Sequence, residues 1–316
     1  MSNKVAILIP VYNDWLSLRE LITQILRDYN SKYLFHFVIV DDSSSELINS
    51  HEFADFKSNI TLIELTRNMG HQKAIASGLA YIHDHLQVDF VLVMDSDGED
   101  RPENIDDLIQ EAKKSKKITF ARRIKRTEGV LFRLFYSLYK LVFILLTGKK
   151  ISFGNYSIIP FHYLQKVVQV PDIWNHFSGG IIRSGIPYNS LPTNRGRRYH
   201  GKSKMNFTRL ILHGLSAVSV YADIMAVRLI LVSFLLIIAT AIGILLVASV
   251  RLFTDLAIPG WATFTVLGLA IILFLSLLLG LLLLFNVLNM KTQKSIIPAK
   301  DYKDYILTIY TLSFNE

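Results

Sequence analysis

Asp95-Ser96-Asp97, with Glu99 and Asp100 behind it, is the strongest candidate metal site in the chain. Hard carboxylate oxygens suit Mg2+ or Mn2+, and two of them leave coordination positions open for a diphosphate. The competing reading is a solvated acidic turn. An EF-hand fits poorly, because its glycine belongs at loop position 6 and Gly98 would stand at position 4. Tyr12-Asn13-Asp14, Asp41-Asp42 and Arg67-Asn68 are further polar groups, each following an apolar run. The sequence has neither a Walker A pattern nor GxGxxG, so phosphate must be held by metal and backbone rather than by a glycine loop. Without cysteine, thiolate metal sites, cysteine nucleophiles and a disulfide scaffold are excluded.

The elements that must position these groups follow from the apolar pattern. Residues 5–10, 35–40, 60–65, 90–94 and 118–121 read as short buried strands. Residues 72–85 and 104–114 have helical character, and Asp14 can cap a helix running to about residue 28. This alternation predicts an α/β domain with a mostly parallel sheet, in which ligands bind beyond the C-terminal ends of the strands. Four strand ends then converge on one largely acidic rim.

Charge divides the chain in two. Residues 1–112 carry 8 Lys/Arg against 19 Asp/Glu, and residues 113–316 carry 26 against 7. Basic windows at 113–150 and 195–210 suit an anionic partner; lipid headgroups are favoured over nucleic acid by the apolar segments that follow. Residues 229–250 are uncharged and reach about 33 Å as a helix, enough to cross a bilayer. Residues 256–290 are a second uncharged stretch, with Pro259-Gly260 marking a helix start near residue 261. Arg209 and Arg228 on one flank, and Lys291, Lys294, Lys300 and Lys303 on the other, place both outer ends in the cytoplasm. Residues 130–147, interrupted by Arg133 and Lys140, and residues 205–222 read as helices lying in the headgroup plane, with ordinary core helices as the alternative.

The segments IPVYND, IVDDSSSE, LTRNMGHQKAIASGL and VMDSDGEDRPE resemble, in order and spacing, the family-2 glycosyltransferases of GT-A fold. The branch resembled is that of the polyprenyl-phosphate (dolichol-phosphate-mannose-synthase-like) sugar transferases. Three further elements carry that likeness: Arg122 after the fifth strand, Arg133-x-x-x-Ser137, and Arg198-x-x-Gly201-x-Ser203-Lys204. The likeness spans about residues 4–290. It departs at Gly98-Glu99, where Leu-Gln is common, at Asp14, where Glu is common, and at Met205, where an aromatic is usual.

The resemblance implies a Rossmann-like GT-A core over residues 1–128 and an acceptor-binding region with two interfacial helices over 129–228. A transmembrane hairpin over 229–290 and a cytoplasmic tail over 291–316 follow. It implies inverting transfer of a sugar from a UDP- or GDP-type donor to polyprenyl (undecaprenyl) phosphate, at the cytoplasmic face of a bacterial inner membrane. Asp95, Asp97 and Glu99 would hold Mg2+ or Mn2+. Pro10, Tyr12, Asn13, Asp41, Asp42, Asn68, Lys73, Asp95 and Ser96 would bind the donor. The acceptor phosphate is already ionised, so it needs positioning cations rather than a strong base. Arg122, Arg133, Arg198 and Lys204 would supply them, with Ser137 and Ser203 as hydrogen-bond donors. His71 and the segment Trp174-Asn175-His176 are candidate donor contacts, with structural roles as the alternative. Expected partners are membrane lipids, a flippase and further copies of the chain. The rival readings are a transferase acting on a lipid hydroxyl or a glycan, and a non-catalytic scaffold for a lipid-sugar flippase.

Overall fold

The computed structural model describes residues 3–46, 56, 58–123, 143–148, 154–201, 214–254 and 260–312. They fall into two compact units. One comprises residues 1–134, 151–220 and 295–316, the other residues 135–150 and 221–294.

In the first unit eight strands form one sheet among the described residues. The elements run β1 (Asn3–Val11), α1 (Trp15–Tyr29), β2 (Tyr33–Asp41), β3 (Asn59–Leu65), α2 (His71–His85), β4 (Phe90–Val93), α3 (Ile105–Ser115) and β5 (Ile118–Arg123). Then come β6 (Ser157–Pro160), α4 (Phe161–Val168), α5 (Phe177–Ser184), β7 (Tyr188–Thr193) and, after the second unit's helices, β8 (Ile306–Leu312). The strand order is β7-β5-β6-β4-β1-β2-β3-β8. β4-β1-β2-β3 are parallel, while β6 and β8 run antiparallel to their neighbours.

The parallel strands are largely apolar because both faces of the sheet are covered. In β1, Ala6 and Leu8 pack on the side of α2, whereas Val5, Ile7 and Ile9 pack with Leu18, Leu21 and Ile22 of α1. Each fully buried aliphatic side chain of this kind contributes about 1.5–3 kcal/mol. Helix α2 lies close on the sheet through Gly78, where a Cβ would stand 2.2 Å from Leu8 Cδ1. Every strand and helix expected from residues 5–121 is present within one or two residues at most ends. Asp14 does precede α1 but makes no side-chain cap.

The sheet also draws strands from outside that segment. β6 and β7 come from residues expected to form the acceptor-binding region, and β8 comes from the expected cytoplasmic tail. β8 pairs with β3 from Ile60–Leu312 to Leu65–Ile306. Tyr302, just before it, is buried in the core and donates a 2.9 Å hydrogen bond to Asp84 of α2. Tyr305 stacks on Trp174 at 5.0 Å, and its carbonyl accepts from Thr66 N.

The second unit holds α6 (Ala222–Phe253) and α7 (Trp261–Thr292), two helices long and apolar enough to cross a membrane. At 32 residues each they are about 48 Å long. They pack through small and hydroxyl residues, with Leu269 against Gly243 and Ser233 against Gly280, as helices in lipid commonly do. Leu231, Leu235, Phe274 and Phe285 remain exposed on the outside. Arg228 Nη1 donates to the Leu145 carbonyl at 2.6 Å. Most of the two expected interfacial helices lies outside the described residues.

Candidate active site

The strand ends converge as topology requires, and each loop is fastened by its own side chains. After β2, Asp41 Oδ1 accepts from Ser44 N at 3.0 Å and from its hydroxyl at 2.6 Å. Asn13, after β1, adopts a φ of 51° and accepts from Glu46 N at 3.1 Å. Asp42 is buried and binds across to the β3–α2 loop, taking Met69 N at 2.6 Å and Gly70 N at 2.9 Å. Burial pushes the pKa of both aspartates up, partly offset by these bonds. Both carboxylates are thus occupied in shaping the loops after β2 and β3. Pro10 is buried at the end of β1, Tyr12 is partly exposed, Asn68 is exposed and Lys73 is half-buried in the first turn of α2.

Beyond β4 the chain makes the acidic turn. Asp95 Oδ1 lies 3.1 Å from His71 Nε2, and Asp95 N donates to Asp100 Oδ2 at 3.0 Å. Asp97 Oδ1 accepts from Glu99 N at 2.9 Å. Burial and then the neighbouring Asp95 charge push Asp97 up to about 6. Burial and Asp95 raise Asp100 as well, against the guanidinium of Arg123. Burial lowers the pKa of His71, but Asp95, Asp100 and Asp42 outweigh it and raise it overall.

The Asp95 charge raises the proton affinity of Asp97, and paired carboxylate oxygens of this kind suit a hard divalent ion. Asp95 and Asp97 therefore fit the expected ion as a pair. Glu99 does not extend the pair. Its carboxylate receives Arg195 Nη2 at 2.6 Å and Nε at 2.9 Å, and lies 3.7 Å from Arg123. Among the described residues no group of three or more His, Asp or Glu is placed to hold a metal.

Residues 194–201 cross this turn. Gly196 N donates to the Glu99 carbonyl at 2.8 Å, and Tyr199 N to the Asp97 carbonyl at 3.0 Å. The approach is so close that a Cβ on Gly196 would stand 2.2 Å from the Gly98 carbonyl. Gly98, at φ 82°, has the Tyr199 ring where its own Cβ would be. The replacement of Leu-Gln by Gly98-Glu99 is explained here: the glycine admits the ring and the glutamate meets Arg195. Arg198 bridges the two walls, with Nη2 at 2.6 Å from Asp14 and Nη1 at 2.9 Å from Asp97.

Some expected residues stand elsewhere. Arg122 is exposed on β5, while its neighbour Arg123 turns inward to Asp100 at 3.2 Å. Phe120 and Ala121 are both buried, so strand alternation alone does not choose between Arg122 and Arg123. Ser96 is buried in the turn. Trp174 is buried against Tyr305, and His176 caps α5 through Gly179 N. Gln72, not anticipated, accepts from Phe177 N at 2.6 Å and ties α2 to α5. Arg133, Ser137, Ser203 and Lys204 lie outside the described residues.

The sequence profile of Glycosyl transferase family 2 matches residues 6–178, which hold the whole acidic rim. The chain belongs to this family. It is 25% identical to the uncharacterized glycosyltransferase YkcC of Bacillus subtilis, over 88% of this chain and 86% of that protein. It is 27% identical to an undecaprenyl-phosphate 4-deoxy-4-formamido-L-arabinose transferase of Salmonella choleraesuis, over 66% of this chain and 64% of that protein. Among solved structures, glucosyl-3-phosphoglycerate synthase of Mycobacterium tuberculosis, in complex with Mn2+, UDP-glucose and phosphoglyceric acid, superposes with a TM-score of 0.50. The match has 12% identity and covers 71% of this chain and 80% of that one. The fold of this family-2 glycosyltransferase is GT-A.

Proposed function

We propose that this glycosyltransferase moves a sugar from a nucleoside diphosphate donor to a polyprenyl phosphate, with inversion at the anomeric carbon. The observation that carries the reading is the meeting of the Asp95/Asp97 pair with Arg198 at the strand ends. One side is built for the cation that accompanies a diphosphate, the other for an anion.

Asp95 and Asp97 would hold a divalent ion, which would supply charge neutralisation for a nucleoside diphosphate leaving group. Asp41 and Asp42 keep the loops after β2 and β3 in the shape that receives the donor. The acceptor's phosphate oxygen attacks the anomeric carbon with no proton to remove. Arg198 orients that phosphate through its two-pronged guanidinium. A hydroxyl acceptor would instead need a carboxylate base. Between Glu128 and Asp223 the only acid is Asp172, which lies 3.5 Å from Arg183. The Salmonella relative, whose name specifies undecaprenyl phosphate, supports the same acceptor class.

The pairing of β8 with β3 supports a cytoplasmic head. Residues on both sides of the α6–α7 pair belong to one folded unit, which supports a reading with both outer ends on the same side of a membrane. The flanking lysines and arginines favour the cytoplasmic side. The test is a panel of UDP- and GDP-sugars offered to the full chain with Mn2+ or Mg2+, and with undecaprenyl phosphate or a lipid alcohol. A lipid-phosphate-linked sugar is expected. Product only on the alcohol overturns the acceptor assignment, and no turnover with any donor favours a scaffold.

A further inference from the structure

The strap formed by residues 194–201 carries two arginines that meet the acidic turn, and they are held in different ways. Arg198 bridges Asp14 and Asp97, and Asp97 is one of the two carboxylates suited to a divalent ion. Arg195 binds the carboxylate of Glu99, whose backbone N–H donates to Asp97 Oδ1. Its guanidinium meets the carboxylate with two bonds, a geometry that fixes direction as well as distance. The backbone bonds of Gly196 and Tyr199 flank this contact. On the far wall Tyr199 hydrogen-bonds Gln24, and His200 Nε2 lies 2.8 Å from Glu20 of α1.

We propose that Arg195 is the positioning residue for Arg198. Its pair with Glu99 pins the strap to the acidic turn, so Arg198 exchanges Asp97 for an anionic acceptor while the strap stays in place. Glu99 is then a strap anchor and not a third ligand of the ion. A half-exposed ion pair contributes little to global stability. Its effect belongs in the geometry of Arg198 and therefore in the affinity for the acceptor. The identity of that acceptor rests on the proposed function; the pin itself does not.

The experiment uses the full chain in detergent as wild type, Arg195→Ala, Glu99→Gln, and the charge exchange Arg195→Glu with Glu99→Arg. Each single change is expected to raise KM for undecaprenyl phosphate about tenfold, the scale of one charge-assisted hydrogen bond. KM for the nucleotide sugar and the Mn2+ concentration for half-maximal rate should stay within about twofold on the same scale. The charge exchange should recover part of the lipid KM. Trypsin should cut after Arg197 and Arg198 faster in Glu99→Gln than in wild type. A rise in the Mn2+ requirement of Glu99→Gln with an unchanged lipid KM overturns the proposal and makes Glu99 a ligand. If the wild type transfers nothing to lipid phosphate, the functional reading fails and proteolysis alone decides. Faster cutting in Glu99→Gln still supports the pin, and equal cutting overturns it.

Discussion

Asp97 has one carboxylate oxygen bonded to Glu99 N and the other to Arg198, and burial beside Asp95 makes it a reluctant anion. Replacing it by Asn keeps the shape and removes the charge. Asp97→Asn should lose most transfer while its melting temperature stays near wild type, and EDTA should abolish transfer by the wild type. Full activity in chelator would refute the ion's role. Arg198→Ala should raise KM for lipid phosphate roughly ten- to a hundredfold and change the nucleotide Kd far less. Arg198→Lys should recover only part, because a point charge cannot reproduce a fork. The order and spacing of these residues were legible in the sequence. Their partners were not. Whether Glu99 meets a metal or Arg195 depends on a loop 96 residues away. Whether Arg122 or Arg123 faces inward depends on the register of β5, which local pattern leaves open by one residue.

At the scale of elements, the parallel strands announced themselves as apolar runs, since both of their faces are covered. β6, β7 and β8 did not. Ser157–Pro160 is only four residues long, Tyr188–Thr193 contains a proline, and Ile306–Leu312 is an edge strand whose Leu307 and Ile309 stay exposed. Such strands are defined by their neighbours rather than by their own pattern. His36 on β2 shows how pairing tunes chemistry. Its Nε2 lies 2.8 Å from the hydroxyl of buried Thr61 on β3, and burial lowers its pKa below the ordinary 6.5. Between the lowered value and 6.5 the unfolded chain binds more protons, so acid favours unfolding. His36 therefore contributes a fall in stability as pH drops from 7 through about 6, while the raised carboxyls of Asp97 and Asp100 contribute in the opposite direction. His36→Gln should remove that contribution, so its urea midpoint should rise relative to wild type as the pH drops across the range. An unchanged slope would place the acid sensitivity elsewhere.

At the scale of the whole molecule, the C-terminal segment is the largest departure from the sequence reading. A polar run after two apolar helices looks like a tail, and nothing local marks it as the partner of a strand nearly 250 residues earlier. Its fixture is Tyr302, fully buried with its hydroxyl on Asp84. Tyr302→Ala should destabilise the first unit by about 3–5 kcal/mol, the cost of truncating a buried aromatic. Chemical denaturation followed by tryptophan fluorescence would report it through Trp174, which stacks on nearby Tyr305. Sidedness has a direct test, because the native chain has no cysteine. A cysteine introduced near Asp255 should react with an impermeant reagent from outside the cell, and one near Lys300 should not. The reverse pattern would overturn the hairpin.

The pairing of β8 with β3 also bears on how the protein is made. β8 is synthesised after both apolar helices, so a ribosome that has finished the first 220 residues has produced a sheet whose β3 edge is still open. An open edge is a template for wrong pairing, and newly made domains are most vulnerable at that stage. The edge closes only once α6 and α7 have been translated and β8 has followed them. On the proposed topology, a nascent chain in which only one of the two helices crossed the membrane would keep its β3 edge uncovered. Completion of the sheet would thus exclude crossing by a single helix, and the uncovered edge is a feature that chaperones and proteases can recognise.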